Sequence, residues 1–90
     1  MEKHLNEFVV GQKGIVKKIE AEGKIKRRLF DMGVTPNTEI YLKKLAPLGD
    51  PIEVTIRGYE LTLRKDEANK ILMVSTKSGD FSIQLVIFNL

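Results

Sequence analysis

The apolar residues of this chain occur in short runs that glycine and proline interrupt, which favours several short strands over a helical bundle. The most regular alternation of apolar and polar residues covers 52–57, where Ile52, Val54 and Ile56 would face the interior of a strand. Similar β-prone runs predict further strands at residues 14–19, 39–45, 60–64 and 71–74. A last apolar run, 81–88, carries no charge, and we expect it to pair at a sheet edge within the chain or across a dimer.

One segment has the period of an α-helix. Within residues 24–33, apolar residues recur at intervals of four and three, which places them on one helix face: Ile25, Leu29 and Met32. Gly33 follows at the position where a left-handed residue commonly closes a helix, and Val34 would then contact Leu29 in a Schellman motif. The sequence therefore predicts one helix inserted after the first strand.

Turn residues separate the remaining elements. Residues 35–38 contain proline and asparagine and predict a turn, and 47–51 must form a loop because it holds two prolines and a glycine. Gly58–Tyr59 would be a two-residue hairpin connection of type II′, since glycine comes first. Asp66 is expected to cap one short helical turn that ends near Asn69. Five or six short strands with one helix indicate an all-β fold, a small barrel whose closure removes exposed sheet edges.

Length and charge narrow the class of protein. Ninety residues make one small domain, which we take as 1–90, and the net charge is +3. Nothing at the N-terminus resembles a signal peptide, and no run approaches the roughly 20 apolar residues that a membrane span needs. We therefore expect a cytoplasmic protein that does not itself cross a membrane.

The residue types that common catalytic and metal sites need are missing or scattered. The chain has no cysteine, which excludes disulfides and thiolate metal ligands. Its single histidine, His4, lies in a polar N-terminal segment that we expect to be frayed. There is no glycine-rich phosphate loop and no nucleophile elbow. We expect no enzyme activity, no cofactor and no dedicated metal site; a weak carboxylate site for ferrous iron ranks last among the alternatives.

Four basic residues cluster in the predicted helix: Lys24, Lys26, Arg27 and Arg28. Asp31 follows Arg27 at i+4, where the two side chains would pair. The cluster is either a solvated helix face or a patch for an acidic protein partner or a nucleic-acid backbone. We do not expect nucleic acid, because the aromatic residues are few and are not interleaved with the patch: Phe30, Tyr41 and Tyr59.

Three stretches, in this order and spacing, closely resemble the FeoA family of ferrous iron transport accessory proteins: RRLFDMGVTPNTE at 27–39, APLGDPIEV at 46–54 and RGYELTLR at 57–64. The resemblance covers about residues 8–75, leaving 76–90 as a β-prone extension. It implies an SH3-like barrel. Asn37 stands where the family usually has glycine, a replacement that is tolerable if φ is positive there.

The resemblance also implies a partner. Members of the family are cytoplasmic and are thought to act on FeoB, a membrane permease with a GTP-hydrolysing domain, so this chain would be a noncatalytic modulator of ferrous iron uptake. A different function for the same fold is that of an accessory module in metal-dependent transcriptional regulation. A homodimer formed through the extension is a further possibility to test.

The matched motifs supply candidate partner-binding residues in the helix, in the 47–51 loop and at the hairpin: Arg27, Arg28, Leu48, Gly49, Asp50, Arg57 and Tyr59. Loops at the end of a barrel commonly carry recognition, and an exposed aromatic beside arginines has the composition of an interface hot spot. Leu48, Asp50 and Tyr59 are the strongest of these candidates. The alternative interpretation is that the seven residues only shape turns.

Overall fold

The structure is a computed structural model that describes residues 2–75. It contains six strands: β1 (Glu2–His4), β2 (Lys13–Ile19), β3 (Glu39–Leu45), β4 (Ile52–Ile56), β5 (Tyr59–Leu63) and β6 (Ile71–Ser75). It also contains a single 3-10 turn and two helices: the turn at Leu5–Glu7, α1 (Gly23–Asp31) and α2 (Lys65–Ala68). The predicted strand at 81–88 and the whole extension lie outside the described residues.

The six strands form one antiparallel sheet in the order β1-β6-β2-β3-β4-β5. Within the described residues β1 and β5 are its two edges. The short helix α2, which follows β5, contacts the 3-10 turn, which follows β1. The sheet therefore curls around one core, as the predicted all-β barrel with one inserted helix requires.

The core is built from the alternation that the sequence shows. Ile52, Val54 and Ile56 of β4 are buried, and the residues between them are not. Every strand from β2 to β6 contributes to one cluster that also receives residues from both helices and the 3-10 turn. Its fully buried large side chains include Leu5, Val16, Leu29, Ile40, Ile71 and Met73.

Helix α1 ends as predicted. Gly33 has a φ of +94°, its backbone N–H donates to the Phe30 carbonyl (2.9 Å), and the Val34 N–H donates to the Leu29 carbonyl (2.9 Å). These two hydrogen bonds define a Schellman motif. The predicted inward face was wrong in one respect: Leu29 is fully buried, whereas Ile25 is 43% exposed, because the first turn of the helix projects beyond the core.

Two local predictions about turns were wrong. The hairpin between β4 and β5 turns at Arg57–Gly58, one residue earlier than predicted, and both residues have positive φ (+51° and +86°), as in a type I′ turn. Asp66 does not cap α2: the carboxylate of Asp50 instead accepts the Lys65 backbone N–H (3.0 Å) from the distant 46–51 loop. Asn37 has a positive φ (+73°), which is the condition under which asparagine can replace the glycine of the family.

The N-terminal segment is ordered rather than frayed. Strand β1 pairs with β6 in the register Glu2↔Val74 to His4↔Leu72. The His4 ring Nε2 lies 2.5 Å from a carboxylate oxygen of Glu20, so the only histidine is held against the loop that precedes α1. Pairing with a buried strand outweighs the polar composition of these residues.

Candidate functional site

Five of the seven candidate residues fall into two groups at opposite ends of β4. Arg57 and Tyr59 belong to the β4–β5 hairpin, whereas Leu48, Gly49 and Asp50 lie in the loop that precedes β4. Five residues of strand separate the groups by about 17 Å. Arg27 and Arg28 lie on α1, and Arg28 reaches the second group. The structure therefore does not bring all seven residues to one point.

Arg57 is bound within the fold. Its Nη2 donates to the hydroxyls of Thr35 and Thr38 (3.0 Å each), and its Nε donates more weakly to the Gly33 carbonyl (3.4 Å). The two threonine hydroxyls also lie within 2.9 Å of each other. The hairpin is thus fastened to the connection between α1 and β3, an arrangement that we name the hairpin clasp (Arg57, Tyr59 and residues 32–38).

Tyr59 completes the hairpin clasp. Its hydroxyl donates to the Met32 carbonyl (3.1 Å) at the end of α1. A Cβ on Gly33 would lie 3.0 Å from the same hydroxyl, so a larger residue there would displace the hydroxyl by a few tenths of an ångström in addition to being strained at the positive φ. The ring remains 47% exposed. One side of Tyr59 is therefore structural while the other faces outward.

The loop before β4 presents one apolar side chain to its surroundings. Ala46 and Pro51 are joined by a backbone hydrogen bond (3.0 Å), and Gly49, with a φ of +87°, donates to the Ala46 carbonyl (2.7 Å). Asp50 is used as the cap of α2. These contacts fix the backbone while Leu48 at the tip is 95% exposed. A rigid loop thus holds a leucine away from the core.

Arg28 forms an ion pair with Glu67 of α2, whose side chain is only 11% exposed. The other carboxylate oxygen of Glu67 accepts the Arg64 backbone N–H (2.9 Å), so this residue both caps α2 and holds α1. A surface depression of about 410 Å³ lies beside the pair and reaches the loop: Arg28, Asp50, Pro51, Thr62, Arg64 and Glu67. It makes α1 and the Leu48 loop neighbours on one surface.

The side chain of Arg27 is not used in an ion pair within the described fold. Among residues 2–75 it has no ion-pair partner, and the predicted pair with Asp31 does not form. The prediction that aromatic residues stand apart from the basic cluster was also wrong for Phe30. This ring is 39% exposed, lies 5.7 Å from the Lys26 ammonium and shares a depression with Arg27.

Sequence reasoning missed three residues that shape this surface: Thr35, Thr38 and Glu67. Thr35 and Thr38 have the spacing of a turn, but nothing in the sequence indicates that an arginine nineteen or more residues away binds both hydroxyls. Glu67 stands three residues after Arg64, which is the spacing of a capping carboxylate and was a usable signal. Its ion pair with Arg28 joins residues that are distant in the sequence, so no local sequence pattern indicates it.

Metal-ligating and membrane-spanning features are absent from the part of the chain that the structure describes. No three histidine or acidic side chains in residues 2–75 converge as a metal site. None of the described helices has both the length and the apolar character to span a bilayer.

Comparison with known proteins gives concordant matches. The sequence profile of the FeoA domain matches residues 3–74. A Fe(2+) transport protein A/Fe(2+) transporter FeoB fusion protein of Porphyromonas gingivalis is 31% identical over 67 residues, which is 74% of this chain and 8% of that protein. The chain therefore spans only a small part of this relative.

Solved structures agree with the profile. The NMR structure of a FeoA-like protein from Clostridium acetobutylicum is 43% identical with a TM-score of 0.80, covering 84% of this chain and 88% of that one. The crystal structure of Stenotrophomonas maltophilia FeoA complexed with zinc, described as a procaryotic SH3 domain protein, has a TM-score of 0.71 at 24% identity, covering 80% of this chain and 89% of that one. The predicted SH3-like fold is thus confirmed.

Proposed function

We propose that this chain, which belongs to the FeoA family of ferrous iron transport proteins, binds and modulates a FeoB-type permease. In this proposal it is a noncatalytic accessory protein of the cytoplasm. The observation that carries the proposal is the Porphyromonas gingivalis relative, whose name joins Fe(2+) transport protein A and the transporter FeoB in one fusion protein. Two proteins that are fused in one organism commonly interact as separate chains in another. Modulation then requires that the chain bind the states of the permease with different affinities.

The geometry of the loop before β4 supports Leu48 as the central contact. An apolar side chain that is 95% exposed gains by burial, about 1.5–3 kcal/mol for a leucine that becomes fully buried. The loop backbone is already fixed by its hydrogen bonds, so little conformational entropy is lost on binding. Gly49 and Asp50 serve the contact by holding Leu48 in place.

The other candidate residues take supporting parts in this proposal. Arg28 and Asp50 position α1 and α2 beside the loop, and Arg57 and Tyr59 fix the end of α1. Only the outward side of Tyr59 and the unpaired Arg27 would touch the partner directly. The interface would therefore centre on Leu48 and extend along α1.

The proposal is tested by capturing a detergent-solubilised FeoB permease with the purified full chain, in the presence of GTP, GDP or no nucleotide. We expect the wild type to retain the permease and Leu48→Asp to lose at least tenfold in affinity, because a buried carboxylate replaces an apolar contact (an effect on the order of 1.4 kcal/mol or more). Val9→Asp is the matched control, since Val9 is an exposed apolar residue (65%) in a different loop. Circular dichroism verifies that both variants fold.

Two outcomes would overturn the proposal or its surface. If the wild type retains no permease in any nucleotide state, the accessory function is wrong. If Leu48→Asp and Val9→Asp bind equally well, the permease is bound but Leu48 is not its contact. Residues 2–75 contain no helix-turn-helix, because α1 leads into a strand and α2 has four residues. In the alternative function, transcriptional regulation, this part of the chain would therefore serve only as an accessory to a separate DNA-binding domain.

A further inference from the structure

The positive charge of this protein is concentrated on one helix. Helix α1 carries four basic residues and one acidic residue, an excess of three that equals the net charge of +3 of the whole chain. The helix is nine residues long, so these charges lie within about 13 Å. The rest of the chain is balanced.

Among the described residues, several basic residues of the sheet have acidic partners, whereas only one of the four on α1 does. On the strands, Lys17 pairs with Glu2, Lys43 pairs with Glu60, and Lys44 lies 3.8 Å from Glu53. On α1, Arg28 pairs with Glu67, but three cations have no acidic partner within residues 2–75: Lys24, Lys26 and Arg27. We name these three residues together with Phe30 the α1 outer face.

The α1 outer face also has an exposed apolar surface. A depression of about 410 Å³ is lined by Gly23, Lys26, Arg27, Phe30 and Asp31. The Phe30 ring forms its apolar side and is 39% exposed. Cations beside an open aromatic ring can bind a ligand that combines negative charge with an apolar side chain.

We propose that the α1 outer face binds an acidic protein segment that carries an apolar or aromatic anchor, with carboxylates against Lys24, Lys26 and Arg27 and the anchor against Phe30. This inference rests on the proposed function, because it places the acidic segment on the permease partner. It extends the contact beyond Leu48, since the depression beside Arg28 joins α1 to the loop. The carboxylates would steer association and fix orientation, and the anchor would provide burial.

Two other classes of ligand fit the α1 outer face less well. Stable attraction to an anionic membrane takes clusters of about four to eight basic residues at about 1 kcal/mol each, and three unpaired cations fall short of that number. Binding of single-stranded nucleic acid uses successive aromatic platforms, whereas this face holds Phe30 alone. A short acidic segment matches three cations and one ring, with Asp31 as the single carboxylate that lines the depression.

The first measurement titrates the ¹⁵N-labelled chain with a synthetic peptide in which aspartates and glutamates flank one phenylalanine. We expect amide shifts confined to residues 23–31 that vanish in Arg27→Glu and in about 500 mM salt, where the screening length is only a few ångströms. Lys18→Glu is the matched control, since it makes the same kind of charge change on an exposed part of β2. An absence of shifts, or shifts unchanged in Arg27→Glu, would overturn the inference.

The second measurement compares the same variants for binding to the detergent-solubilised FeoB permease. A loss of about tenfold for Arg27→Glu with Lys18→Glu unchanged supports the inference. Wild-type binding that Arg27→Glu leaves unchanged overturns the inference and leaves the proposed function standing. No wild-type binding overturns the proposed function, and the placement of the segment with it. Tighter binding of the chain to phosphatidylserine vesicles than to the peptide would assign the face to a membrane surface instead and overturn the inference.

Discussion

At the scale of single residues, the hairpin clasp explains why Arg57 occupies a backbone conformation that arginine rarely adopts. A positive φ costs an ordinary L-residue about 1–2 kcal/mol, and Arg57 has a φ of +51°. Its side chain offsets that cost by donating to two hydroxyls and a carbonyl of the α1–β3 connection. A residue that the motif offers as a partner contact is therefore already engaged within its own fold.

The same clasp constrains Gly33, the glycine of this connection. We expect Gly33→Ala to be destabilised by about 2 kcal/mol or more. Alanine is strained at this positive φ, and its Cβ would lie 3.0 Å from the Tyr59 hydroxyl. Gly11→Ala is the matched control: its φ is also positive (+93°), but nothing lies within 4 Å of the added Cβ. Urea unfolding measures both free energies. Equal losses in the two variants would show that the Tyr59 contact imposes no constraint.

At the scale of elements, strands β3, β4 and β5 are joined on their outer face by a cluster of charges. Lys43 of β3 pairs with Glu60 of β5 across the intervening strand and lies 3.8 Å from Glu53 of β4. The hydrogen bond from Lys43 holds the pKa of Glu60 below its usual value of 4.5. The same bond raises the pKa of Lys43 above 10.5. The two directions agree that the ionised pair is favoured in the folded state.

The cluster predicts a dependence of stability on pH. Since the pKa of Glu60 is lowered by folding, the unfolded chain binds more protons, and the contribution of the pair is present above pH 4.5 and lost as pH falls through the lowered pKa. We expect Lys43→Met to melt below the wild type at neutral pH and the difference to shrink at about pH 3 and in high salt. Thermal melts at several pH values measure this. Lys18→Met, a change on β2, should show no such pH dependence, and a constant gap for Lys43→Met would contradict the prediction.

At the scale of the whole molecule, the N-terminal segment completes the barrel. Strand β1 adds to the edge of β6, and Leu5, which follows it, is fully buried in the core. The 3-10 turn that begins at Leu5 contacts α2 at the far edge of the sheet. The first residues of the chain are thus a structural part of the domain rather than a tail.

Leu5 should accordingly behave as a core residue. We expect Leu5→Ala to lower the free energy of unfolding by about 2–5 kcal/mol, a large share of the stability of a small domain. Val9→Ala, at a residue that is 65% exposed, should change it by less than about 0.5 kcal/mol. Urea unfolding again measures both. A cost for Leu5→Ala as small as that for Val9→Ala would mean that the N-terminal segment does not support the core.

The fold could be predicted from the sequence wherever local pattern determines it. Alternation found β4, and the Leu29–Gly33–Val34 spacing located the helix end with its hydrogen bonds. Strand β1 was missed because three polar residues show no period and owe their conformation to the partner strand. The hairpin turn was predicted one residue too late because positive φ in arginine is uncommon and glycine is the usual first residue of a type II′ turn.

The candidate surface could be predicted only in part, because residue type does not reveal what a side chain contacts. Leu48 was identified correctly as a loop tip, and its exposure follows from the proline and glycine around it. Asp50 and Arg57 were offered as partner contacts, yet each is bound to a segment more than ten residues away. Such long-range hydrogen bonds are decided by tertiary structure, which no local pattern encodes.

The pairing of β1 with β6 has a consequence for how this domain joins other proteins. Because Glu2 lies opposite Val74, the chain enters and leaves the described fold at neighbouring points, with Cα atoms about 5 Å apart. The two ends of the described residues therefore lie at the same place on the fold. Fluorophores attached at residues 2 and 74 would report the same position, and residues 2–75 have the geometry of a module that can be inserted into a longer polypeptide without opening its barrel.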